Sequence, residues 1–488
     1  MDWFLVIDLG TGGIHVSAVD EALCLGATRY SKIRYGDSVG NGKNIEPDAI
    51  FYDVARLAKD VISKTGDEKQ DCVGIAITGQ RHGAVFLDDH GQSLLACPNI
   101  DGRASALAQS MGAEYGRRVF ALTSRWPAPF FPALRLMWLA KEMPDAYRKA
   151  RHILMLNEWL GWKLTGVMAS EPSNAVETML FDIRSGEWSE ELSELFGAGS
   201  IVPNDLVPSG SRIGGLCAKL AGLLGLPAGL PVHLAVSDTQ SAALGCGATE
   251  SGDIVVANGS TTPVVHVSKR FLSDPKMRAW TSPYTENSWL IEANANKSGI
   301  AYRGLVESAY EFLDKIACDQ GLLLDRGKAE ASLAALAETK SEAIGYWGPR
   351  VSDISCPAMG GFSFLGNTES SPFASILPSY TENLAFAVVG NIELTREIAQ
   401  NPGGRVWLTG GGSANRRFGS VVAALSGGAE VLVTKETETT MIGAAASASG
   451  GSVAETQREL AEKVEPAPDA EALNGKYLTW KAFYTDLS

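Results

Sequence analysis

A chain of 488 residues exceeds what one hydrophobic core comfortably fills, so two or more domains are expected. Hydrophobic residues at 45% and charged residues at 20% give an ordinary globular balance and exclude a disordered chain. A net charge of −14 excludes a generic binder of nucleic-acid backbones, which needs a basic face, yet allows one nucleotide held by backbone amides and a metal ion.

The cysteines Cys24, Cys72, Cys97, Cys217, Cys246, Cys318 and Cys356 are scattered, odd in number and never spaced as CxxC. They read as reduced thiols, not as a zinc site. The N-terminus runs straight into an apolar strand with no basic leader, so no secretory signal is expected. No apolar run approaches the roughly 20 residues of a membrane helix. A cytoplasmic protein without a membrane or nucleic-acid partner is the expectation.

In chain order, Trp3-Phe4-Leu5-Val6-Ile7 is a buried-strand run that ends in Asp8-Leu9-Gly10-Thr11-Gly12-Gly13. A second strand over 14–19 follows at once, which makes a hairpin with a glycine-hydroxyl turn. The 3.6-residue spacing of Ile50, Val54, Leu57, Val61 and their neighbours predicts a helix near 47–64, followed by a strand over 73–78. The hairpin then recurs: strand 253–257, the turn Asn258-Gly259-Ser260-Thr261-Thr262, and strand 264–267. Later come a helix over 383–399, a strand over 405–409, the cluster Gly410-Gly411-Gly412-Ser413 and a helix near 416–426. Two copies of one α/β domain are the economical reading. The boundary is expected near 246–252, with residues 341–375 as a surface loop region and a helical tail from about 453.

A turn built from glycine leaves its N–H groups uncovered by Cβ atoms and can cradle phosphate oxygens. Asp8, at a strand end, has the chemistry to hold Mg²⁺. The third glycine cluster, between a strand and a helix, suits an adenine or ribose. Each turn has a plainer reading. Most glycine hairpins are only turns, and Gly410–Ser413 is also explained by tight strand–helix packing. Neither hairpin matches a GxxxxGK[ST] loop.

In order and spacing these segments resemble the FGGY carbohydrate kinases, along nearly the whole chain. The resemblance runs from Asp8-Leu9-Gly10-Thr11 through Gly79-Gln80-Arg81-His82-Gly83, Asn99-Ile100-Asp101-Gly102-Arg103 and Ser170-Glu171-Pro172-Ser173-Asn174-Ala175. It continues with Asp238, Gly245-Cys246-Gly247, Gly410–Ser413 and Ile442-Gly443-Ala444-Ala445. It implies two α/β domains of the ribonuclease-H/actin type with a catalytic cleft between them. Residues 1–247 would carry the sugar site, 248–455 the nucleotide site, and 456–488 a helical tail. By the same resemblance Asp238 is the general base and Asp8 serves Mg²⁺. Arg81, His82 and Asp101 bind sugar hydroxyls. Gly10, Thr11, Gly12, Gly259 and Thr261 meet phosphate, and Gly410, Gly411, Gly412 and Asn415 line the ATP site.

The expected partners are a small sugar and ATP, with a homodimer left open. Without the resemblance, Asp238 reads as a helix cap, Asp101 as a turn aspartate, and Arg81 and His82 as loop residues. Three positions depart from the family's habit: His15 stands where Lys or Arg is usual, Ser237 where Gly is usual, and Leu425 where Asp is common. Residues 79–83 sit closer to the xylulokinase pattern, and 98–103 and 172–188 closer to autoinducer-2 kinase. A ketopentose such as xylulose is the expected substrate, with dihydroxy-pentanedione as the alternative. A non-catalytic sugar sensor and an actin-like ATPase are the rival classes.

Overall fold

The apolar runs of the sequence become sheet interiors in the computed structural model, which describes residues 2–38, 40–65, 71–352, 363–365, 373–451 and 460–485. The chain divides into two compact units. Unit 1 comprises residues 1–247, 269–290 and 438–458, and unit 2 comprises 248–268, 291–437 and 459–488.

The first break between the units falls at 247/248, and the division is not two uninterrupted halves. Residues 269–290 and 438–458 pack with unit 1, and residues from 459 onward pack with unit 2 instead of forming a separate tail. The reason is burial. Tyr477 and Trp480 on the Ala470–Thr485 helix join the unit 2 core, Arg417 pairs with Asp469 at 2.8 Å, and Lys476 pairs with Glu382 at 3.0 Å.

In unit 1 the sheet runs in the order Arg212–Gly215, Pro231–Leu234, Cys72–Gly79, Trp3–Leu9, Gly13–Asp20, Leu25–Lys32. Trp3–Leu9 and Gly13–Asp20 form the predicted hairpin, with Asp8 opposite His15. Trp3–Leu9, Cys72–Gly79 and Pro231–Leu234 are mutually parallel, with Ile7 beside Ile77 and Ile77 beside Leu234. The Pro47–Lys64 helix starts on a proline whose missing N–H costs nothing at that position. It buries Ile50, Val54, Leu57, Ala58, Val61 and Ile62, the stripe its periodicity predicted.

The parallel strands matter because all three end at the same edge of the sheet. Their carboxyl ends carry Asp8, Gln80-Arg81-His82 and Ser237-Asp238, so distant segments deliver polar side chains to one place.

Unit 2 repeats the device. Ile254–Ala257 pairs antiparallel with Pro263–Ser268 and parallel with Val406–Thr409, which pairs parallel with Val431–Val433. Behind this sheet lies the Ile376–Ala399 helix, longer than the predicted 383–399. It begins early because Pro378 falls in its first turn, where proline is tolerated. Of the expected loop, Ile344–Tyr346 pairs with Ser363–Leu365, while 353–362 and 366–372 lie outside the described residues. Among the described residues no helix is long and apolar enough to cross a membrane.

Two helices of unit 1, Asp238–Gly245 and Thr439–Ser449, touch backbone to backbone. A Cβ on Gly443 would run into the Ser241 carbonyl oxygen, and one on Gly245 into that of Thr439. Backbone atoms cannot retreat as a side chain can. Gly443→Ala is therefore expected to lower unfolding stability by about 1–3 kcal/mol. Gly222→Ala, in an exposed helical position with open space around it, should be neutral or slightly stabilising. Thermal and denaturant melts of the two variants check this.

Candidate active site

Asp8 is the penultimate residue of its strand and is 9% exposed. Burial and the nearby negative charge of Asp238 push its carboxyl up to about 7, with His15 pulling the other way and Glu438 adding to the rise. Its Oδ1 is buried without a hydrogen-bond partner among the described residues. An orphaned carboxylate oxygen beside a second carboxylate is the arrangement a divalent cation neutralises. Among the described residues no group of three or more His, Cys, Asp or Glu could hold a metal by itself. That suits Mg²⁺, which takes one or two carboxylates and completes its shell with water and phosphate oxygens. The residues present fit the ion.

The Gly10–Gly12 turn is held by its oxygens. Tyr35 Oη donates to the Thr11 carbonyl at 2.5 Å, Tyr30 Oη to that of Gly12 at 3.0 Å, and Gln80 Nε2 to that of Gly10 at 3.4 Å. Asn99 Nδ2 donates to Thr11 Oγ1 at 2.7 Å. The Gly10, Thr11 and Gly12 amides take part in none of these bonds, and Thr11 keeps its own hydroxyl proton to donate.

Asp238 opens its helix, and its Oδ1 accepts the Thr239 amide at 2.7 Å. The capping reading of this residue thus describes one of its contacts, although the N-cap position belongs to Ser237. Unlike Asp8 and Glu177, Asp238 keeps 30% of its side chain exposed, with Arg81 Nε 3.7 Å away. The turn beneath it is fixed by Ser173, whose Oγ accepts the Ser237 amide at 2.9 Å and donates to buried Glu171. The Ser237 hydroxyl, unexpected at that position, donates to Gln240 at 2.5 Å.

His82 has φ +68°, in the left-handed region that an ordinary residue occupies only when its surroundings enforce it. Its ring lies among Phe130, Phe131 and Trp280, at 4.6, 4.9 and 5.9 Å, and its Nε2 is 2.8 Å from Glu177 Oε2. Burial lowers the pKa of the imidazole despite the opposing pull of Glu177.

Glu177 is the hub. Burial pushes its pKa up, but Arg125, His82 and Arg81 overrule burial and hold it well below the usual carboxylate range. Arg125 grips it with two bonds, Nη2–Oε1 at 2.7 Å and Nε–Oε2 at 3.2 Å, while Arg81 Nη1 stands at 3.8 Å. Arg125 also donates to the Thr281 carbonyl and the Ser282 hydroxyl, both at 2.8 Å, which anchors the 269–290 segment to this site.

Asp101 is enclosed by cations and a backbone amide. Its carboxylate has no exposed surface: Arg103 Nε lies 2.8 Å from Oδ2, Arg135 Nε lies 3.1 Å away, and the Lys43 amide donates to Oδ1 at 2.8 Å. With both oxygens enclosed it supports the site from below, since Arg135 also donates to the His82 carbonyl at 2.5 Å. Sequence reasoning missed Glu177 and Arg125 because nothing local marks them. They lie 52 positions apart and meet only in the fold.

In unit 2 the Asn258–Thr262 and Gly410–Asn415 turns adjoin. Asn258 N donates to the Thr409 carbonyl at 2.8 Å, and Gly412 N donates to the Asn258 carbonyl at 3.0 Å. Gly410 has φ +84°, and a Cβ on Gly412 would overlap the Asn258 side chain, so both glycines are required. Gly259, Gly411, Gly412 and Asn415 line a cavity of about 560 Å³, whereas Thr261 and Gly410 do not. The Gly259 amide is used inside its own turn, bonded to the Ala257 carbonyl at 3.0 Å and that of Thr261 at 3.1 Å. Asn415 Oδ1 caps the Arg416–Leu425 helix through the Phe418 amide at 2.9 Å, which leaves its Nδ2 for a ligand. Leu425, the third departure, packs partly buried against the unit 2 core.

A further pair in unit 1 joins the first hairpin to the Thr439–Ser449 helix. His15 Nδ1 lies 3.3 Å from Glu438 Oε2 at the start of the Thr439–Ser449 helix, with Tyr30 packed edge-on at 4.9 Å. The bond to Glu438 raises the imidazole pKa against the effect of burial, with Asp8 adding to the rise, and the Glu438 carboxyl is lowered in return. The raised His15 value and the lowered Glu438 value mean that the pair stabilises the fold most between the acid range, where Glu438 takes up its proton, and about pH 6.5, the usual histidine value, and loses that contribution as pH climbs through the raised His15 value. An NMR titration of the six histidines should show His15 above the usual value, and Glu438→Gln should bring it down. A His15 titration that ignores this substitution would refute the pairing.

Residues 3–245 match the family of FGGY carbohydrate kinases, N-terminal domain. The chain is 28% identical over 432 residues to a putative sugar kinase, YoaC, of Bacillus subtilis (strain 168), covering 86% of this chain and 84% of that protein. It is 24% identical over 512 aligned residues to the autoinducer-2 kinase of Klebsiella pneumoniae, covering 100% of this chain and 94% of that one. Its fold superposes on a ligand-bound xylulose kinase from Lactobacillus acidophilus with a TM-score of 0.86 at 16% identity, covering 100% of this chain and 98% of that chain.

Proposed function

The chain belongs to the FGGY carbohydrate kinases, which are ATP-dependent sugar kinases, and on that premise we propose that it transfers the γ-phosphate of ATP to a hydroxyl of a small five-carbon sugar, with Asp238 as the proton acceptor. The observation that carries this reading is the contrast between two carboxylates at one sheet edge. Asp8 is buried with an orphaned oxygen, and Asp238 is partly exposed beside Arg81.

A sugar hydroxyl is a weak nucleophile near neutral pH, and a carboxylate must take its proton as the new P–O bond forms. The Thr239 amide orients the Asp238 carboxylate, and the Arg81 guanidinium stands 3.7 Å from it. Arg81 and the His82 backbone, stiffened by Glu177 and Arg135, shape the place where the sugar lies, against the aromatic edge of Phe130 and Trp280. A magnesium ion, held by Asp8, would supply neutralisation of phosphate charge. The Gly10–Gly12 amides and the Thr11 hydroxyl are suited to phosphate oxygens, and the unit 2 cavity to adenosine. Most of the rate enhancement then comes from positioning and charge stabilisation, as is general for phosphoryl transfer.

We take the substrate to be a ketopentose such as xylulose. A dihydroxy-pentanedione is the second reading, favoured by the full-length similarity to autoinducer-2 kinase. A coupled ADP-release assay over pentoses, hexoses, polyols and dihydroxy-pentanedione separates them. The expected outcome is sugar-dependent turnover that is highest with one five-carbon compound. Background hydrolysis throughout would mean a sensor instead of an enzyme. With the preferred substrate, Asp238→Asn should cut kcat by about 10²–10⁴ while sugar binding changes little. Unchanged turnover in that variant would remove Asp238 from the reaction.

A further inference from the structure

The cavity of unit 2 has a charge pattern that the glycine turns do not explain. Of the side chains that line it, Arg303 is the sole cation and Glu338 the sole anion. Arg303 comes from the Ser298–Asp319 helix, whose first turn is pressed onto the Asn258–Thr262 turn. A Cβ on Gly299 would strike the Gly259 carbonyl oxygen, and the Ile300 amide donates to the Ser260 carbonyl at 3.2 Å. Residues four apart share one face of a helix, so Arg303 follows Gly299 on the side that meets this turn. Its Nη2 reaches Ser260 Oγ at 3.3 Å.

Among the described residues Arg303 has no carboxylate partner. Burial raises the pKa of the neighbouring Tyr302 phenol, with the Glu338 charge adding to the rise, and no ion pair joins Glu338 to Arg303 among the described residues. The cavity thus offers an aromatic and apolar wall, with Tyr380, Leu384 and Phe418, and a positive end where Ser260 and Arg303 meet. A neutral nucleoside needs only the wall. An uncompensated guanidinium with a hydroxyl beside it matches phosphate oxygens, which it can bind through two parallel bonds.

We propose that Arg303, together with Ser260, grips the phosphate chain of the nucleotide, which makes it a determinant of affinity for nucleoside di- and triphosphates over nucleosides. The proposal rests on the assignment of this cavity to the nucleotide. It adds a contact that glycine-turn chemistry alone does not supply. Arg303 positions the nucleotide and takes no part in proton transfer.

Calorimetric titration of the full chain with ADP and with adenosine is the test. Arg303→Ala and Arg303→Gln should raise the Kd for ADP about tenfold and leave the Kd for adenosine unchanged, and Arg303→Lys should recover part of the loss. In steady-state kinetics the same variants should raise KM for ATP with little change in KM for the sugar. Equal weakening of ADP and adenosine would show that Arg303 merely shapes the cavity, and unchanged ADP affinity would show that it does not reach the phosphates. Either result overturns the proposal while the kinase reading stands. A wild-type chain that binds neither ligand overturns the nucleotide assignment and this inference with it.

Discussion

Unit 1 is organised around two carboxylates, Asp8 and Asp238, brought to one edge of its sheet. Asp8 is buried beside Asp238, and like charges in a poorly solvated place repel strongly. A fold without a use for this pair would separate the carboxylates or give Asp8 a full set of donors. Here the strands prevent separation. Asp8 is locked in register between His15 on one side and Thr78 on the other, and Asp238 follows the next strand beyond Thr78. The surrounding cations are placed so that they temper the repulsion without ending it. Arg81 stands 3.7 Å from Asp238, outside hydrogen-bond range, and His15 is shared with Glu438.

Holding such a pair requires rigid support, and two features supply it. One is the contact of the Asp238–Gly245 and Thr439–Ser449 helices, which is possible only because Gly245 and Gly443 lack side chains. That contact fixes Asp238 and Glu438, the residues at the two helix starts. The other is the network of Glu177, Arg125, His82 and Arg81. A fully buried ion pair adds little net stability over apolar packing, but it strongly penalises rearrangement, because moving one partner strands the other's charge. The pairing of Arg125 with Glu177 therefore acts mainly as a geometric clamp. It holds His82 in its left-handed backbone and ties the 269–290 segment to the sheet edge. Asp101 does the same one layer deeper through Arg135.

What was legible in the sequence was whatever local pattern encodes. The two glycine-hydroxyl hairpins, the helix over 47–64 and the strand before Gly410 are written in adjacent residues, and the structure places them as read. Domain membership is not legible where packing is non-local. Nothing in residues 438–458 or 269–290 marks them as belonging with unit 1, because their partners lie far away in the chain. The surroundings of Asp101 were not legible for a related reason. A carboxylate beside glycine looks the same in a chain whether it faces solvent or two arginines, and only the fold brings Arg135 to it. Glu177 was invisible on the same principle, since its meaning lies in Arg125 and in the adjacent Arg81 and His82, drawn from two other segments.

The departures at His15, Ser237 and Leu425 lose much of their weight as signs of a dead enzyme once their contacts are seen. Ser237 bonds to Gln240 and leaves the Asp238 turn intact, and Leu425 packs against the core of unit 2. His15 is the one with chemical consequence. Paired with Glu438 it forms an ion pair with no net charge when protonated, so the first glycine turn gains less positive potential than a lysine or arginine free of a carboxylate partner would give it. The unit 2 cavity differs in the opposite sense, because Arg303 meets its turn with no carboxylate partner among the described residues. Of the two glycine turns, the one in unit 2 thus carries the cation that is not tied to a carboxylate among the described residues.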